Sequence, residues 1–242
     1  MHHVVLERWS RGTSAVHRRD PRVKAIATMT LLVVLATAHR ELPLLAAACF
    51  VLLCGTALAA RLPLGAAVLR AGIVLSFTAV FAAVSWIAGE PGRAVSLLLK
   101  SYLSAFAVLL LVSTTRISVL LHGIERLGAP RFLLMVAQFL YRYLFVISEE
   151  AQHMRAAALA RGAGAGRWNR RARLQAAGGA VAALFARSYG RAEDIHRAML
   201  ARGFAGDSRT LEPLGLRRAD VWFGALAVAA PILVRIVIER SA

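Results

Sequence analysis

Along the first half of the chain, long uncharged apolar stretches alternate with short segments that carry arginine, and this pattern predicts membrane-spanning helices. A helix needs about 20 apolar residues to cross a hydrocarbon core of about 30 Å. Leu42 to Ala60 and Ala71 to Gly89 hold no charge, and Ala94 to Thr115 is interrupted only by Lys100, which lies near enough to one end to snorkel. Ala25 to Ala38 is short, and it spans only if Lys24 and Arg40 snorkel. Pro43 suits the first turn of the helix that follows, so residues 25–60 read as a helical hairpin. A fifth stretch, Val221 to Ile238, contains Pro231 and, near its end, Arg235, which can reach the interface. Phe132 to Ile147 differs because Arg142 sits within it, leaving an uncharged run of only Phe132 to Tyr141.

Further on, the period changes. Leu174, Gly178, Val181, Leu184 with Phe185, Ser188, Ala192, Ile195 and Met199 recur at helical steps, while Arg173, Arg187, Arg191 and Asp194 fall off that stripe. The prediction is a long amphipathic helix, whose stripe would ordinarily pack against a neighbouring helix. Gly178-Gly179 within it marks a bend or a close helix contact.

Composition agrees with the pattern. Of the 242 residues 58% are hydrophobic and 18% charged, against about 45–50% and about 25% for soluble domains. The predicted class is an all-α polytopic membrane protein. Lys+Arg number 30 against 13 Asp+Glu, a net charge of +17. A nucleic-acid partner is nonetheless excluded, since it would need a solvated basic surface rather than apolar runs. Cys49 and Cys54 lie inside one apolar run and read as small hydrophobes.

What the charge decides is orientation. Arg8, Arg11, Arg18, Arg19, Arg22 and Lys24 precede the first apolar stretch, too long and polar a lead for a cleaved signal peptide, so that stretch is expected to remain as an anchor. Loops 61–70 and 116–131 carry more arginine than 39–41 and 90–93, and residues 148–219 hold thirteen arginines. Basic loops stay in the cytoplasm, which puts the amino terminus, 116–131 and 148–219 inside. Residues 132–147 then cannot be a simple crossing; they read as a helix partly in the membrane that leads into a cytoplasmic region. The expected organisation is a cytoplasmic segment over 1–24, four spans over 25–115, a membrane-associated helix with cytoplasmic coupling helices over 116–219, and a fifth span over 220–242.

Two helices of the basic region are expected to end alike, in Leu159-Ala160-Arg161-Gly162 and Leu200-Ala201-Arg202-Gly203. Each is an ordinary helix stop, with glycine for the left-handed position and arginine complementing the helix dipole. Each also places little bulk around a guanidinium, so that the helix end can enter a groove and pair with a carboxylate or carbonyls. Two such points would fix orientation as well as raise avidity. Glu150-x-x-His153 and Glu193-x-x-His196 have the spacing of di-metal carboxylate bundles, but Glu41, Glu90 and Glu125 fall in loops and Glu7, Glu212 and Glu239 near tails or turns, so solvated helix faces explain the pairs. His2 and His3 lack a third fixed metal ligand. No Gly-x-x-x-x-Gly-Lys-Ser/Thr loop occurs, so ATP hydrolysis, if used, must come from a partner. A different permease or an assembly factor is the competing class.

Asp20-Pro21-Arg22-Val23-Lys24 ahead of the first span, Ser113-Thr114-Thr115, Leu127-Gly128-Ala129-Pro130, Tyr141-Arg142-Tyr143, Glu149-Glu150 and the two Ala-Arg-Gly motifs occur in an order that resembles the transmembrane T component of energy-coupling factor transporters, the EcfT or CbiQ family. The resemblance implies a subunit without catalysis, metal or cofactor of its own. It would join two cytoplasmic ABC ATPases to a small substrate-binding membrane subunit (the S component) that captures a vitamin or a transition-metal ion such as cobalt or nickel. It also implies that Ala160, Arg161, Gly162, Ala201, Arg202 and Gly203 dock the ATPases, one motif for each.

Overall fold

A computed structural model describes residues 9–10, 12–38, 42–162, 170–204, 206 and 215–241. His2, His3, Glu7, Arg40, Glu41 and Glu212 lie outside these residues. Among the described residues the chain is helical and contains no strand. The helices are α1 (Pro21–Thr37), α2 (Leu42–Ala59), α3 (Leu64–Ala71), α4 (Ile73–Ile87), α5 (Pro91–Thr114), α6 (Ile117–Arg126), α7 (Arg131–Ala160), α8 (Arg170–Ala201) and α9 (Arg218–Ser241). The chain divides into two compact units, one made of Met1–Gly128 with Glu212–Ala242 and the other of Ala129–Leu211.

In the first unit α5 packs against α1, α2, α3 and α4, while α9 packs against α1 and α2, and α6 against α1. Small residues allow this. Ala46, Ala57, Ala60, Ala67, Ala71 and Ala107 are buried, and large apolar side chains such as Phe77, Phe81, Trp86 and Ile87 of α4 face outward. That inverts a soluble core, as expected where lipid solvates the outside and close backbone approach holds helices together. Gly224 shows the tightest fit, since a Cβ there would lie 2.6 Å from Cγ1 of Val23, bringing α9 onto α1. The fully buried Phe106 of α5 anchors the interior, with its ring 6.0 Å from Phe50 and 6.3 Å from Tyr102.

Among the described residues, four helical stretches are long and apolar enough to cross a membrane: Leu64–Ile87, Pro91–Thr114, Arg131–Ala160 and Arg218–Ile238; Pro43–Ala59 is a shorter apolar helix. Two expected loops are largely helical. Residues 64–71 form α3, so the third apolar stretch is extended at its start, and residues 117–126 form α6, whose apolar and polar positions segregate at helical period.

Of the four cations expected to snorkel or reach the interface, Lys24, Lys100 and Arg235 are among the described residues, and each bonds between α1 and another segment. Lys24 is only 5% exposed. At the other end of α1 Lys100 donates to the Ala36 carbonyl at 3.1 Å, and the Arg235 guanidinium bonds the Thr37 hydroxyl and carbonyl. The last carbonyls of a helix have no partner within it, so basic side chains there satisfy both hydrogen bonding and dipole. These contacts set the directions: α9 runs with α1 and α5 runs against it.

The second unit is α7 and α8. At 30 residues α7 is about 45 Å long by helical rise. Glu150 of α7 pairs with Arg187 of α8, and Met135, Phe139, Tyr143 and Ile147 share a cavity of about 410 Å³ with Ile195, Met199 and Phe204. Early residues of one helix thus meet late residues of the other, which makes the pair antiparallel. The predicted stripe of α8 is used only in part: Leu184, Ser188, Ile195 and Met199 are half-buried, whereas Leu174, Val181 and Phe185 are exposed. Gly178 and Gly179 have open space where a Cβ would stand, so they mark no close helix contact within the chain.

Candidate functional site

Both Ala-Arg-Gly motifs close helices. Ala160 and Ala201 are the last residues of α7 and α8, and Gly162 and Gly203 adopt φ of +86° and +76°. Their amides bond back at 3.0 Å to Leu159 and 2.9 Å to Leu200, and Phe204 adds a bond of 3.0 Å to the Met199 carbonyl. A residue with a Cβ resists that left-handed conformation, so glycine is what lets each helix stop there. The stop leaves Arg161 and Arg202 exposed on the final turn.

The antiparallel crossing sends the two arginines to opposite ends of the pair. From Glu150 and Arg187, the helical rise carries Arg161 one way and Arg202 the other, up to about 40 Å apart. A single small ligand does not reach both. Two separate partners, or two copies of one, would.

At the head of the first unit lies a second polar assembly. Asp20 caps α1 by accepting from the Arg22 amide at 2.9 Å, and Pro21 occupies the first helical position, where no amide is needed. One turn on, the Lys24 ammonium donates to the carbonyls of His17 at 3.3 Å and Thr114 at 2.9 Å and to the Thr115 hydroxyl at 3.0 Å. Asp220, 3% exposed, accepts from the Arg217 amide at 3.1 Å and faces the Arg19 guanidinium at 3.5 Å. Lys24 precedes the first apolar stretch, and burial lowers its amine to about 8, against the opposing attraction of Asp20 and Asp220. The knot ties the start of α1, the end of α5 and the start of α9 at one level.

In the sequence comparison, residues 12–212 match the family described as CbiQ, cobalt transport protein. The chain belongs to this CbiQ family. The cobalt transport protein CbiQ of Rhodobacter capsulatus is 31% identical over 121 aligned positions, which cover 50% of this chain and 48% of that protein. The energy-coupling factor transporter transmembrane protein EcfT of Bacillus selenitireducens is 30% identical over 229 positions, 84% of each chain. EcfT of Acidaminococcus fermentans is 28% identical over 257 positions, 95% of each. The chain thus spans about half the length of the first relative and most of the other two.

For this CbiQ-family chain, the Glu-x-x-His pairs do not converge. Glu150 faces Arg187, Glu193 lies 3.4 Å from Arg197, and His153 lies 3.9 Å from Glu149. Among the described residues no three His, Cys, Asp or Glu side chains gather in a way that could hold a metal. Arg142 is exposed, with its guanidinium 5.9 Å from the Tyr143 ring centre. Sequence reasoning took Lys24 for a boundary charge and passed over Asp220. The available signals were the hydroxyl run Ser113-Thr114-Thr115 ending an apolar helix and an aspartate in the first turn of the last one.

Proposed function

We infer that the protein is the transmembrane T component of an energy-coupling factor importer for cobalt or a vitamin, joining two ABC ATPase subunits to a substrate-binding membrane subunit. The family membership carries this reading. It is supported by the helix pair, whose two exposed arginines at opposite ends suit two separate ATPase subunits, with Ala160, Arg161 and Gly162 docking one and Ala201, Arg202 and Gly203 the other. The chain itself is assigned no catalytic step, and ATP hydrolysis belongs to the ATPases.

The reading includes a topology in which residues 1–24 and 116–219 are cytoplasmic, 25–115 holds four spans and 220–242 the last. The polar knot supports it by parity. The end of α5 and the start of α9 stand at the level of the start of α1, so the chain between them leaves and returns on one face. If α7 crossed the membrane, α8 would have to cross back, and its Arg171, Arg187, Arg191, Glu193, Asp194 and Arg197 forbid that. The apolar length of α7 therefore serves contact with lipid and partner along one side. An α8 stiffened by its pairing with Glu150 would act as a lever between the motor and the membrane part.

The test is copurification of ATPases with the protein in which Arg161→Ala and Arg202→Ala are combined. Each lost charge pair is expected to cost about 2–5 kcal/mol of binding, so the double variant should lose the complex while remaining inserted. Undiminished ATPase in the purified double variant would refute the docking assignment.

A further inference from the structure

The amino-terminal segment folds back onto the turn between α2 and α3 and encloses a cavity of about 610 Å³. Arg18 comes from the segment and Arg61 from the turn, and Thr13, Ser14 and His17 line the same space. Among the described residues, none that lines it is acidic. The wall is held in shape, because both ring nitrogens of His17 are engaged, Nδ1 with the Ser14 hydroxyl at 2.7 Å and Nε2 with the Trp9 carbonyl at 3.0 Å.

Two further features mark this place. Arg61 adopts φ +55°, and it is the one non-glycine with positive φ among the described residues. It ends α2, with its amide bonded to Leu58 at 2.8 Å and that of Leu62 to Ala57 at 3.1 Å, a stop where glycine is the unstrained choice. A disfavoured conformation that sets a guanidinium at a cavity rim points to use of that side chain. Arg70 stacks its guanidinium on the Trp9 ring at 4.3 Å, and its Nη1 is buried without a hydrogen-bond partner among the described residues. Two arginines thus line the cavity and a third stacks on Trp9 in its wall, with no acidic residue among the described ones that line it.

We propose that this pocket binds a phosphate group, carried by the headgroup of an anionic phospholipid. Arginine forks match phosphate oxygens, and the hydroxyls of Thr13 and Ser14 supply further donors. A lipid rather than a soluble phosphate follows from the position of the pocket. It sits where the apolar α2 ends, it has Leu62 and Pro63 in its wall, and Trp9 is of the kind that settles at headgroup level. Basic residues next to a span attract anionic lipid in the same way. The site shares no residue with the ATPase-docking motifs, and its failure would leave that reading standing.

The experiment uses the full chain purified in detergent and read by native mass spectrometry with phosphatidylglycerol or phosphatidylcholine added, and by melting temperature with inorganic phosphate. The wild type is expected to retain phosphatidylglycerol about tenfold more tightly than phosphatidylcholine, a difference of about 1.4 kcal/mol, and R18Q with R61Q to lose that preference. Arg61→Gly separates binding from folding. Glycine accepts the positive φ, so this variant should melt no lower than wild type yet hold phosphatidylglycerol less tightly. Equal retention of the two lipids by the wild type, or undiminished phosphatidylglycerol on R18Q/R61Q and Arg61→Gly, would overturn the proposal. So would inorganic phosphate alone stabilising the wild type as strongly as the lipid, since the ligand would then be soluble.

Discussion

The two units use arginine and lysine in opposite ways. In the bundle formed by α1–α6 and α9, Lys24, Lys100 and Arg235 are spent on carbonyls and hydroxyls of neighbouring helices, and Arg19 on the buried Asp220. In the α7–α8 pair, Arg161 and Arg202 stand exposed at the helix ends, and one cross-pair, Arg187 with Glu150, joins the helices on their open side. A buried cation such as Lys24 holds a structure because leaving its carbonyl partners unpaired is costly. Exposed cations at a glycine stop add little to stability and remain available to another molecule. Position therefore separates cations bonded within the protein from those left exposed at helix ends, although both are written with nearly the same residue.

The largest expected effect in the bundle is that of Lys24→Met. It leaves the Thr114 and His17 carbonyls and the Thr115 hydroxyl without their donor, a loss of about 1–3 kcal/mol for each buried polar group left unsatisfied. A large fall in melting temperature in detergent should follow, whereas the Arg161/Arg202 double variant should melt like wild type and fail only in assembly. If both variants melt alike, the division of roles is wrong.

A smaller effect comes from the same lysine through pH. Its amine is lowered from 10.5 to about 8 in the fold, so between those values the folded protein holds fewer protons than the unfolded chain. Stability should accordingly rise with pH across that window, and Lys24→Met should flatten the slope. Melting curves at either end of the window, for both proteins, measure the difference.

In the helix pair, Gly178→Ala with Gly179→Ala places methyl groups in open space. Each should stabilise α8 by up to about 1 kcal/mol, seen as slower amide exchange along that helix without loss of ATPase binding. A loss of binding would mean that a partner approaches α8 closely at this point. The smallest change is expected from Arg187→Gln. A pair this exposed is worth about 0–1 kcal/mol, so melting should barely move, while substrate uptake falls if α8 works as a lever. Normal uptake would reduce α8 to a tether.

Much of this was legible in the sequence because its signals are local. Long apolar runs placed α2, α4, α5 and α9, the three- and four-residue steps placed α8, and the glycines after Arg161 and Arg202 placed the two stops. Residues 61–70 and 116–131 were less legible. They were read for their arginines, and α3 and α6 within them are too short to give a spanning signal, so packing on α5 and α1 completes them.

By itself the sequence determined the all-α membrane class, the ordered motifs that place the chain in its family and the residues at the two helix ends, since each depends on composition or on neighbours a few positions apart. Only the tertiary structure decided what the charges do. Lys24 meets Thr114 across 90 positions and Arg235 meets Thr37 across 198, and no periodicity reports such a meeting. A cation beside an apolar run has two low-energy solutions, reaching water or finding carbonyls. The choice between them depends on which helix end the fold brings alongside.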